Sequence, residues 1–380
     1  MIYLDNAATS FPKAPGVGEA ISEFLRTAAG NPGRSGHGLA VAAGRCVEDC
    51  RRRVARLLGV GDEHRIVFTL NATDALNIAL KGLLRPGDHV VTTSMEHNAV
   101  ARPLRRAQQE GVEVTYVPAG PDGVVRPDDW RRAFRPHTRL ATFLHASNVT
   151  GAIQPLEELA TAARERGALV LVDAAQTAGV IPLDLGALPV DLLACSAHKG
   201  LLGPTGVGVL YVGERAAVRP LREGGTGSRS ESDEHPEHLP DRLESGTANT
   251  VGLAGLAAAL EFIAERGVAH ICEHEQALGD RLFSGLAAMD QVTLYGPPEP
   301  ERRTAVVSLN IAGTDPQDVA AILDATFGVA VRAGLHCAPL AHRTIGTFPR
   351  GTVRLSPGLF TTAAEVDAAL DAVRAIAAGP

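Results

Sequence analysis

The stretches ALVLVDAAQ (residues 168–176) and DLLACSAHKG (residues 191–200) decide the fold, because each is a short apolar run that ends in polar residues. Five further β-branched or apolar runs lie nearby, at 66–69, 89–93, 112–117, 140–145 and 207–212. Helix-like segments separate several of them, at 73–84, 98–110 and 155–166. This alternation is typical of βαβ units. It predicts an α/β fold with a mostly parallel sheet of about seven strands, flanked by helices.

The pattern stops in the polar, glycine-containing stretch from Arg222 to Thr250, which is long enough to be functional or disordered. A helix is expected at 251–264, and then a second α/β region with segments at 305–311, 316–327, 329–332 and 353–356. The final helix opens with a capping box, Thr362 to Glu365. We therefore predict a large domain over residues 16–254. A smaller α/β domain would consist of residues 1–15 and 255–380.

Composition excludes some classes of function. The 380 residues are 45% hydrophobic and carry a net charge of -7, so bulk nucleic-acid binding is not expected. No apolar run is long enough for a membrane span, and the N-terminus lacks the pattern of a signal peptide. Five scattered cysteines do not resemble a secreted disulfide framework, so a reducing, cytoplasmic location is expected. Cys46 and Cys50 have no second ligand pair, so no metal site is predicted.

Lys199 is the first candidate for chemistry. The chain has only three lysines, Lys13, Lys81 and Lys199, and Lys199 directly follows an apolar strand. A surface lysine is the simpler reading, but only an amine can form a Schiff base, which arginine cannot. Asp173 ends the neighbouring apolar run. It is either a helix N-cap or an acidic partner that keeps a pyridine nitrogen protonated.

A candidate phosphate site lies at Asn71-Ala-Thr73, between a predicted strand and a predicted helix. Backbone N–H groups at a helix N-terminus bind phosphate, although Asn71 or Thr73 could simply cap the helix. The glycines at 203, 206 and 208 do not follow a first βα turn and lack a later acidic residue. We therefore do not interpret them as a dinucleotide site.

Ten motifs occur in an order that resembles the pyridoxal-phosphate-dependent class V aminotransferases of fold type I, and in particular the cysteine desulfurases. They are Asp5-Asn-Ala-Ala-Thr9, Asn31-Pro…Ser35-Gly-His37, Asn71-Ala-Thr73, Met95-Glu-His97-Asn98, His145-Ala-Ser-Asn148-Val-Thr-Gly151, Asp173-Ala-Ala-Gln176, Ser196-Ala-His198-Lys199, Glu244-Ser-Gly-Thr247-Ala-Asn249, Arg332-Ala-Gly-Leu-His336-Cys337 and Arg354-Leu-Ser356. The resemblance spans essentially the whole chain.

The resemblance implies pyridoxal 5'-phosphate as cofactor, with Lys199 as the lysine that carries it and later moves the Cα proton. His97 would stack on the ring and stand ready for proton transfer. The other residues whose counterparts hold the cofactor are Ala72, Thr73, Asn148, Asp173, Gln176, Ser196, His198 and Thr247. Thr247 would reach the phosphate of a neighbouring subunit, which implies a homodimer. The resemblance also implies four residues near the substrate, L-cysteine: Asn31, His37, Arg332 and Arg354. Arg354 would bind the substrate carboxylate with two parallel hydrogen bonds.

Cys337 decides the activity that the resemblance implies. It follows His336, lies near two arginines in sequence, and occupies a segment with Gly and Pro that could move. An imidazole and cations would lower the pKa of its thiol, whereas the alternative is a small buried cysteine. The implied reaction converts L-cysteine to L-alanine and leaves a persulfide on Cys337 for an acceptor protein or thiol.

Three positions depart from the family pattern. Ala197 replaces a glycine, which is a small change, whereas Leu335 and the run Phe360-Thr-Thr362 affect the substrate more than the cofactor. A selenocysteine lyase or a specialised carbon–sulfur lyase on the same fold is therefore an alternative. A non-catalytic, cofactor-retaining scaffold in sulfur-carrier assembly is another. Retention of Lys199, Asp173, Arg354 and Cys337 together speaks against the scaffold.

Overall fold

The computed structural model describes residues 1–33, 36–229 and 231–379. Its strands are β1 (Ile2–Tyr3), β2 (Ile66–Thr69), β3 (His89–Thr93), β4 (Glu113–Val117), β5 (Thr138–Leu144), β6 (Leu169–Asp173), β7 (Leu192–Ser196), β8 (Gly208–Val212), β9 (Val292–Tyr295), β10 (Val307–Ile311), β11 (Val329–Ala330), β12 (Arg332–Gly334) and β13 (Thr352–Leu355). Its α-helices are α1 (Val17–Thr27), α2 (Gly38–Leu57), α3 (Ala72–Leu83), α4 (Asn98–Gln109), α5 (Pro127–Arg132), α6 (Leu156–Glu165), α7 (Thr250–Arg266), α8 (Val268–Ala287), α9 (Pro316–Phe327), α10 (Pro339–Thr344) and α11 (Ala363–Ala377).

The large sheet has seven strands in the order β2-β8-β7-β6-β5-β3-β4, which confirms the predicted mostly parallel sheet. The five strands from β3 to β7 all run parallel to one another. Only β8 runs the other way, antiparallel to both β2 and β7. Because no crossover helix separates β7 from β8, the chain can return only in the antiparallel direction. The parallel strands bring their carboxyl ends to one edge of the sheet.

Strand β6 shows why the apolar runs of the sequence are continuous rather than alternating. Leu169 and Leu171 pack in a core cluster with α3 and α4. Val170 and Val172 point to the opposite face, into the cluster formed with α2, α6 and α7. A parallel sheet covered by helices on both faces buries every side chain of its central strands.

A four-stranded antiparallel sheet, in the order β12-β13-β10-β9, forms the second layer of structure with α8, α9 and α11. The strand predicted at 329–332 is two strands: β11 pairs with β1, and β12 pairs with β13. This break turns the chain toward Cys337. The capping box predicted at Thr362 and Glu365 is confirmed at the start of α11.

The packing suggests where the two units meet. Leu4 belongs to the core of the smaller sheet, as predicted for the N-terminal segment. Helix α7 through Ile263, and Ile271 of α8, belong to the core of the large sheet, so the change of core lies later than residue 254. The division into domains remains a prediction. In the described part of the chain, no helix is long and apolar enough to cross a membrane.

Candidate active site

A cleft of about 310 Å³ opens at the carboxyl edge of the large sheet. Its position follows from the fold, since β6 ends at Asp173, β7 ends at Ser196, and α3 begins directly after β2. Twelve of the residues singled out in the sequence line it together: Ala72, Thr73, His97, Asn148, Asp173, Gln176, Ser196, His198, Lys199, Arg332, Cys337 and Arg354. Residues scattered over 283 positions of the chain therefore converge on one cavity.

Lys199 and Asp173 form the charged centre of the cleft. Burial lowers the pKa of the Lys199 amine to about 8, although the Asp173 carboxylate opposes the shift. Burial raises the pKa of Asp173, and hydrogen bonding by the backbone N–H of Ala175 opposes that shift. This bond, 2.9 Å from N to Oδ1, leaves Oδ2 without a hydrogen bond to the described residues. The cleft therefore contains an amine of lowered pKa and a carboxylate oxygen that is free to accept a hydrogen bond.

His97 caps α4, with its Nδ1 accepting a hydrogen bond of 3.0 Å from the backbone N–H of Ala99. Burial, and secondarily the charges of Lys199 and Arg332, lower its pKa to about 4. The ring is therefore neutral near pH 7, with Nδ1 as acceptor and its proton on Nε2. A neutral imidazole held in this way suits stacking against a flat ring better than accepting a proton at Nε2.

The N-terminus of α3 is a candidate anion site. The Ala72 N–H donates to Ser196 Oγ at 2.9 Å, which ties the start of the helix to the end of β7. Thr73 follows on an exposed surface of the first turn. His198 Nδ1 is buried without a hydrogen-bond partner among the described residues. Backbone N–H groups, two hydroxyls and this imidazole together suit a phosphate.

Arg354 lies at the opposite side of the cleft and is only 1% exposed. Its Nη2 donates to Asp5 Oδ1 at 2.6 Å, and its Nη1 donates to the carbonyl of Asn148 at 3.0 Å. Its Nε is buried with no partner in the described part of the chain. The guanidinium is thus held on two sides while one edge remains available to a ligand carboxylate.

Cys337 is exposed, and Arg332 Nη2 lies 3.6 Å from its Sγ. The segment around it is short and fastened, because the Asn98 N–H donates to the Cys337 carbonyl at 2.8 Å. Asn148 Nδ2 donates to the His336 carbonyl at 2.7 Å. The predicted movement of this segment remains a prediction, and these bonds oppose a large excursion.

The sequence interpretation of His336 is wrong. Its imidazole is 3% exposed and turns away from Cys337, with Nε2 at 3.1 Å from both oxygens of Thr352. Burial and neighbouring cations lower its pKa to about 2, so the ring carries no charge to stabilise a thiolate. The cation beside the sulfur is Arg332.

Three predicted site residues lie elsewhere in the single chain. Asn31 and Thr247 line a separate cavity of about 700 Å³ that does not include Lys199. His37 is the N-cap of α2, where its Nδ1 accepts from the Ala40 N–H at 3.3 Å. Ser35, part of one motif, lies outside the described residues.

The structure adds a group of residues to which the sequence assigned no role. The carbonyl of His198, next to Lys199, accepts from Thr9 Oγ1 at 3.0 Å, from Ser10 N at 2.9 Å and from Lys13 Nζ at 2.9 Å. Gln176 Nε2 donates to the carbonyl of Ala7 at 3.1 Å. The N-terminal motif therefore fixes the backbone that carries Lys199. The motif itself was the available signal, but its contacts are with backbone oxygens, which no residue pattern indicates.

The donor set fits pyridoxal phosphate. An amine of lowered pKa, the carboxylate of Asp173 opposite it and the neutral His97 ring match an aldehyde, a ring nitrogen and a ring face. The orphaned His198 Nδ1 lies beside the anion site at α3. The orphaned Arg354 Nε belongs to a residue that lines the same cleft, and it can donate to a carboxylate. These two unsatisfied buried groups match the phosphate of the cofactor and the carboxylate of an amino acid.

Comparison with known proteins gives one consistent answer. The aminotransferase class-V family profile matches residues 2–369. A probable cysteine desulfurase of Methanothermobacter thermautotrophicus is 36% identical over 96% of this chain and 92% of its own. The solved apo structure of a cysteine desulfurase from Thermococcus onnurineus NA1 is 34% identical, with a TM-score of 0.94 over 100% of this chain and 95% of that one. The solved structure of CsdA, a cysteine desulfurase of Escherichia coli, is 32% identical, with a TM-score of 0.88 over 98% of this chain and 93% of that one. The chain therefore belongs to the class-V aminotransferase family, among its cysteine desulfurases.

Proposed function

We propose that this protein removes sulfur from L-cysteine, forms L-alanine, and carries the sulfur as a persulfide on Cys337 until an acceptor takes it. The observation that carries the proposal is the exposed Cys337 thiol in the same cleft as Lys199 and Arg354. Identity of about 35% over nearly the full length to proteins named cysteine desulfurase supports the choice of reaction.

Pyridoxal phosphate would be held covalently by Lys199, with Asp173 at its ring nitrogen and His97 on its ring face. Gln176 and Asn148 would contact the ring substituents, and Thr73, Ser196 and His198 the phosphate. When bound, the cofactor supplies an electron sink for the charge that develops at the substrate Cα.

Lys199 accepts the Cα proton of cysteine. A lysine accepts a proton only when its amine is neutral, and a pKa of about 8 gives a useful neutral fraction near pH 7. Arg354 binds the substrate carboxylate and sets the Cα–H bond in line with that amine. Asp5 and the carbonyl of Asn148 hold the guanidinium in place.

Cys337 then attacks the substrate sulfur as a thiolate, with Nη2 of the Arg332 guanidinium 3.6 Å from Sγ. A sulfur–sulfur bond forms and the Cβ–S bond of the substrate breaks. The electron pair of the broken bond stays with Cβ, which takes up a proton and becomes the methyl group of alanine. The transferred sulfur remains on Cys337 as a persulfide.

Thr247 supports a homodimer. It lies in the 700 Å³ cavity together with Leu70, which is 58% exposed and stands two residues before α3. Thr247 is not among the residues that line the cleft of its own chain, so it would serve that of a second copy. Subunits carrying Lys199→Ala and Thr247→Ala, mixed after unfolding, would form hybrids with one intact site. About half of the dimers would then be hybrids, each with one intact site of two, so recovery of about a quarter of the wild-type activity supports this arrangement, and no recovery contradicts it.

The direct test incubates holoenzyme with L-cysteine and dithiothreitol and measures alanine and sulfide, which should appear in equal amounts. Cys337→Ala should keep the visible absorption of the bound cofactor and release no sulfide. Cys272→Ala, a half-buried cysteine on α8, is the matched control and should behave as wild type. Undiminished sulfide from Cys337→Ala would refute the nucleophile. Turnover of selenocysteine or cysteine conjugates without turnover of cysteine would refute the substrate.

A further inference from the structure

Two surface segments meet at the exposed Cys337. Helix α4 reaches it through Asn98, whose N–H bonds the Cys337 carbonyl, and α10 begins two residues after it, at Pro339. Thr344 Oγ1 donates to the carbonyl of Ser94 at 3.0 Å, which fastens the end of α10 to the loop that leads into α4. The two helices therefore border the mouth of the same cleft.

Both segments are basic and contain no acidic residue. Residues 97–109 hold three arginines and no Asp or Glu, and residues 325–364 hold four arginines and no Asp or Glu. This is unusual in a chain whose net charge is -7. Four exposed arginines of these segments make no ion pair with a described carboxylate: Arg102, Arg105, Arg343 and Arg350. We call these four residues the basic rim. Arg106, by contrast, pairs with Glu110 just beyond the first segment.

Two residues of the rim lie on the helices that flank Cys337, Arg102 on α4 and Arg343 on α10. The charge of Arg102 contributes to lowering the pKa of His97, so it is close to the cleft. Arg343 lies four residues along α10 from Pro339, a rise of about 6 Å. Its guanidinium carbon is 4.6 Å from the centroid of the Phe348 ring, which is 43% exposed. Exposed arginine beside an exposed aromatic ring is a common composition of protein interfaces.

We infer that the basic rim is the docking surface for an acidic protein whose thiol takes the sulfur from Cys337. The inference rests on the proposed function and names the partner of the same site. In the transfer, an acceptor thiolate attacks the outer sulfur of the persulfide, a new sulfur–sulfur bond forms, and the Cys337 thiolate leaves. The acceptor must bring its thiolate to the outer sulfur of the persulfide, which stays bonded to Cys337 of the enzyme until the transfer. Complementary charge accelerates such an encounter by on the order of 10-fold or more. Nucleic acid would match the charge but has no thiol to accept the sulfur.

The test uses holoenzyme carrying a radiolabelled persulfide on Cys337 and two synthetic peptides of equal length. Each has one cysteine, flanked by glutamates in one peptide and by lysines in the other. At low salt the acidic peptide should take up sulfur at least about tenfold faster, and the difference should shrink as salt screens the charges. Each rate is divided by the rate with dithiothreitol, a neutral thiol, which removes any change inside the cleft.

The double variant Arg102→Glu/Arg343→Glu should abolish or reverse the preference. The matched control Arg85→Glu/Arg166→Glu makes the same charge change at exposed positions before β3 and β6, on the opposite edge of the sheet, and should keep it. Equal rates with both peptides, or an equal effect of the control, would overturn the inference. The inference would also be overturned if a thiol-free RNA oligonucleotide inhibited the transfer more strongly than a cysteine-free acidic peptide of equal charge. Failure to release sulfide even with dithiothreitol would overturn the proposed function itself.

Discussion

Replacing Asp173 by Asn should make the amine of Lys199 more reactive at neutral pH. Burial lowers the pKa of Lys199 to about 8, and the negative charge of Asp173 is the largest influence in the other direction. The amide of Asn fills the same space without the charge. The pKa of Lys199 should therefore fall further below 8, and the neutral fraction of its amine should rise at every pH below that value.

The size of the effect in the unaltered protein follows from the shift. A lysine with the ordinary pKa of about 10.4 has roughly one neutral amine in 2,500 at pH 7. A pKa of about 8 gives about one in ten, which is a gain of roughly 200-fold in the form that reacts with electrophiles. Only this neutral form can accept the Cα proton or condense with an aldehyde.

Trace labelling of the cofactor-free protein with acetic anhydride between pH 6 and pH 11, read by mass spectrometry, measures this fraction. The labelling midpoint of Lys199 should lie near pH 8, and in Asp173→Asn at a lower pH. Lys13 is the internal control, because burial alone lowers its pKa to about 8 and the substitution should not move it. A Lys199 midpoint above pH 10, or an upward movement in the variant, would refute the reasoning.

Other substitutions test the site and the fold. Arg354→Lys should raise the KM for cysteine by about tenfold or more with unchanged cofactor absorption, because lysine cannot form two parallel hydrogen bonds to a carboxylate; an unchanged KM contradicts the clamp. Glu244→Ala removes the carboxylate 2.8 Å from Arg51, whose side chain is 2% exposed. It should lower the free energy of unfolding by about 3–5 kcal/mol in urea titrations, and a loss under about 1 kcal/mol would show that the pair is not needed. Thr362→Ala removes the capping box of α11 and should cost about 1 kcal/mol in the same assay, with no change if the cap is redundant.

The strands of the large sheet could be predicted because they need no knowledge of their neighbours. The run 169–172 is apolar at every position, and both faces of β6 are buried. Helix α9 was predicted with its observed bounds, since Asp315 and Pro316 mark its start and Gly328 its end. The split of residues 329–332 into β11 and β12 was missed because it depends on pairing with β1 and β13, at the two ends of the chain.

The site divides in the same way. Residues at strand ends, such as Asp173 and Ser196, could be placed in one cleft because parallel strands share a carboxyl edge. The orientation of His336 could not, because it is set by Thr352 on a strand sixteen residues away. Asp5 was quoted as part of a motif, yet its partner Arg354 lies 349 positions along the chain. Contacts of that separation leave no local pattern.

The backbone at Cys337 connects these observations. His336 has φ 47° and Cys337 has φ 59°, left-handed values that cost non-glycine residues about 1–2 kcal/mol each. The turn persists because bonds from Asn98 and Asn148 and the contact of His336 with Thr352 hold it from three sides. Strain that is held in this way fixes the backbone of a residue that is exposed beside Arg332. The bonds that hold the turn oppose a large excursion of the thiol toward an acceptor. We therefore expect the acceptor to approach the cleft, so that the charge of the surface around Cys337 affects the transfer.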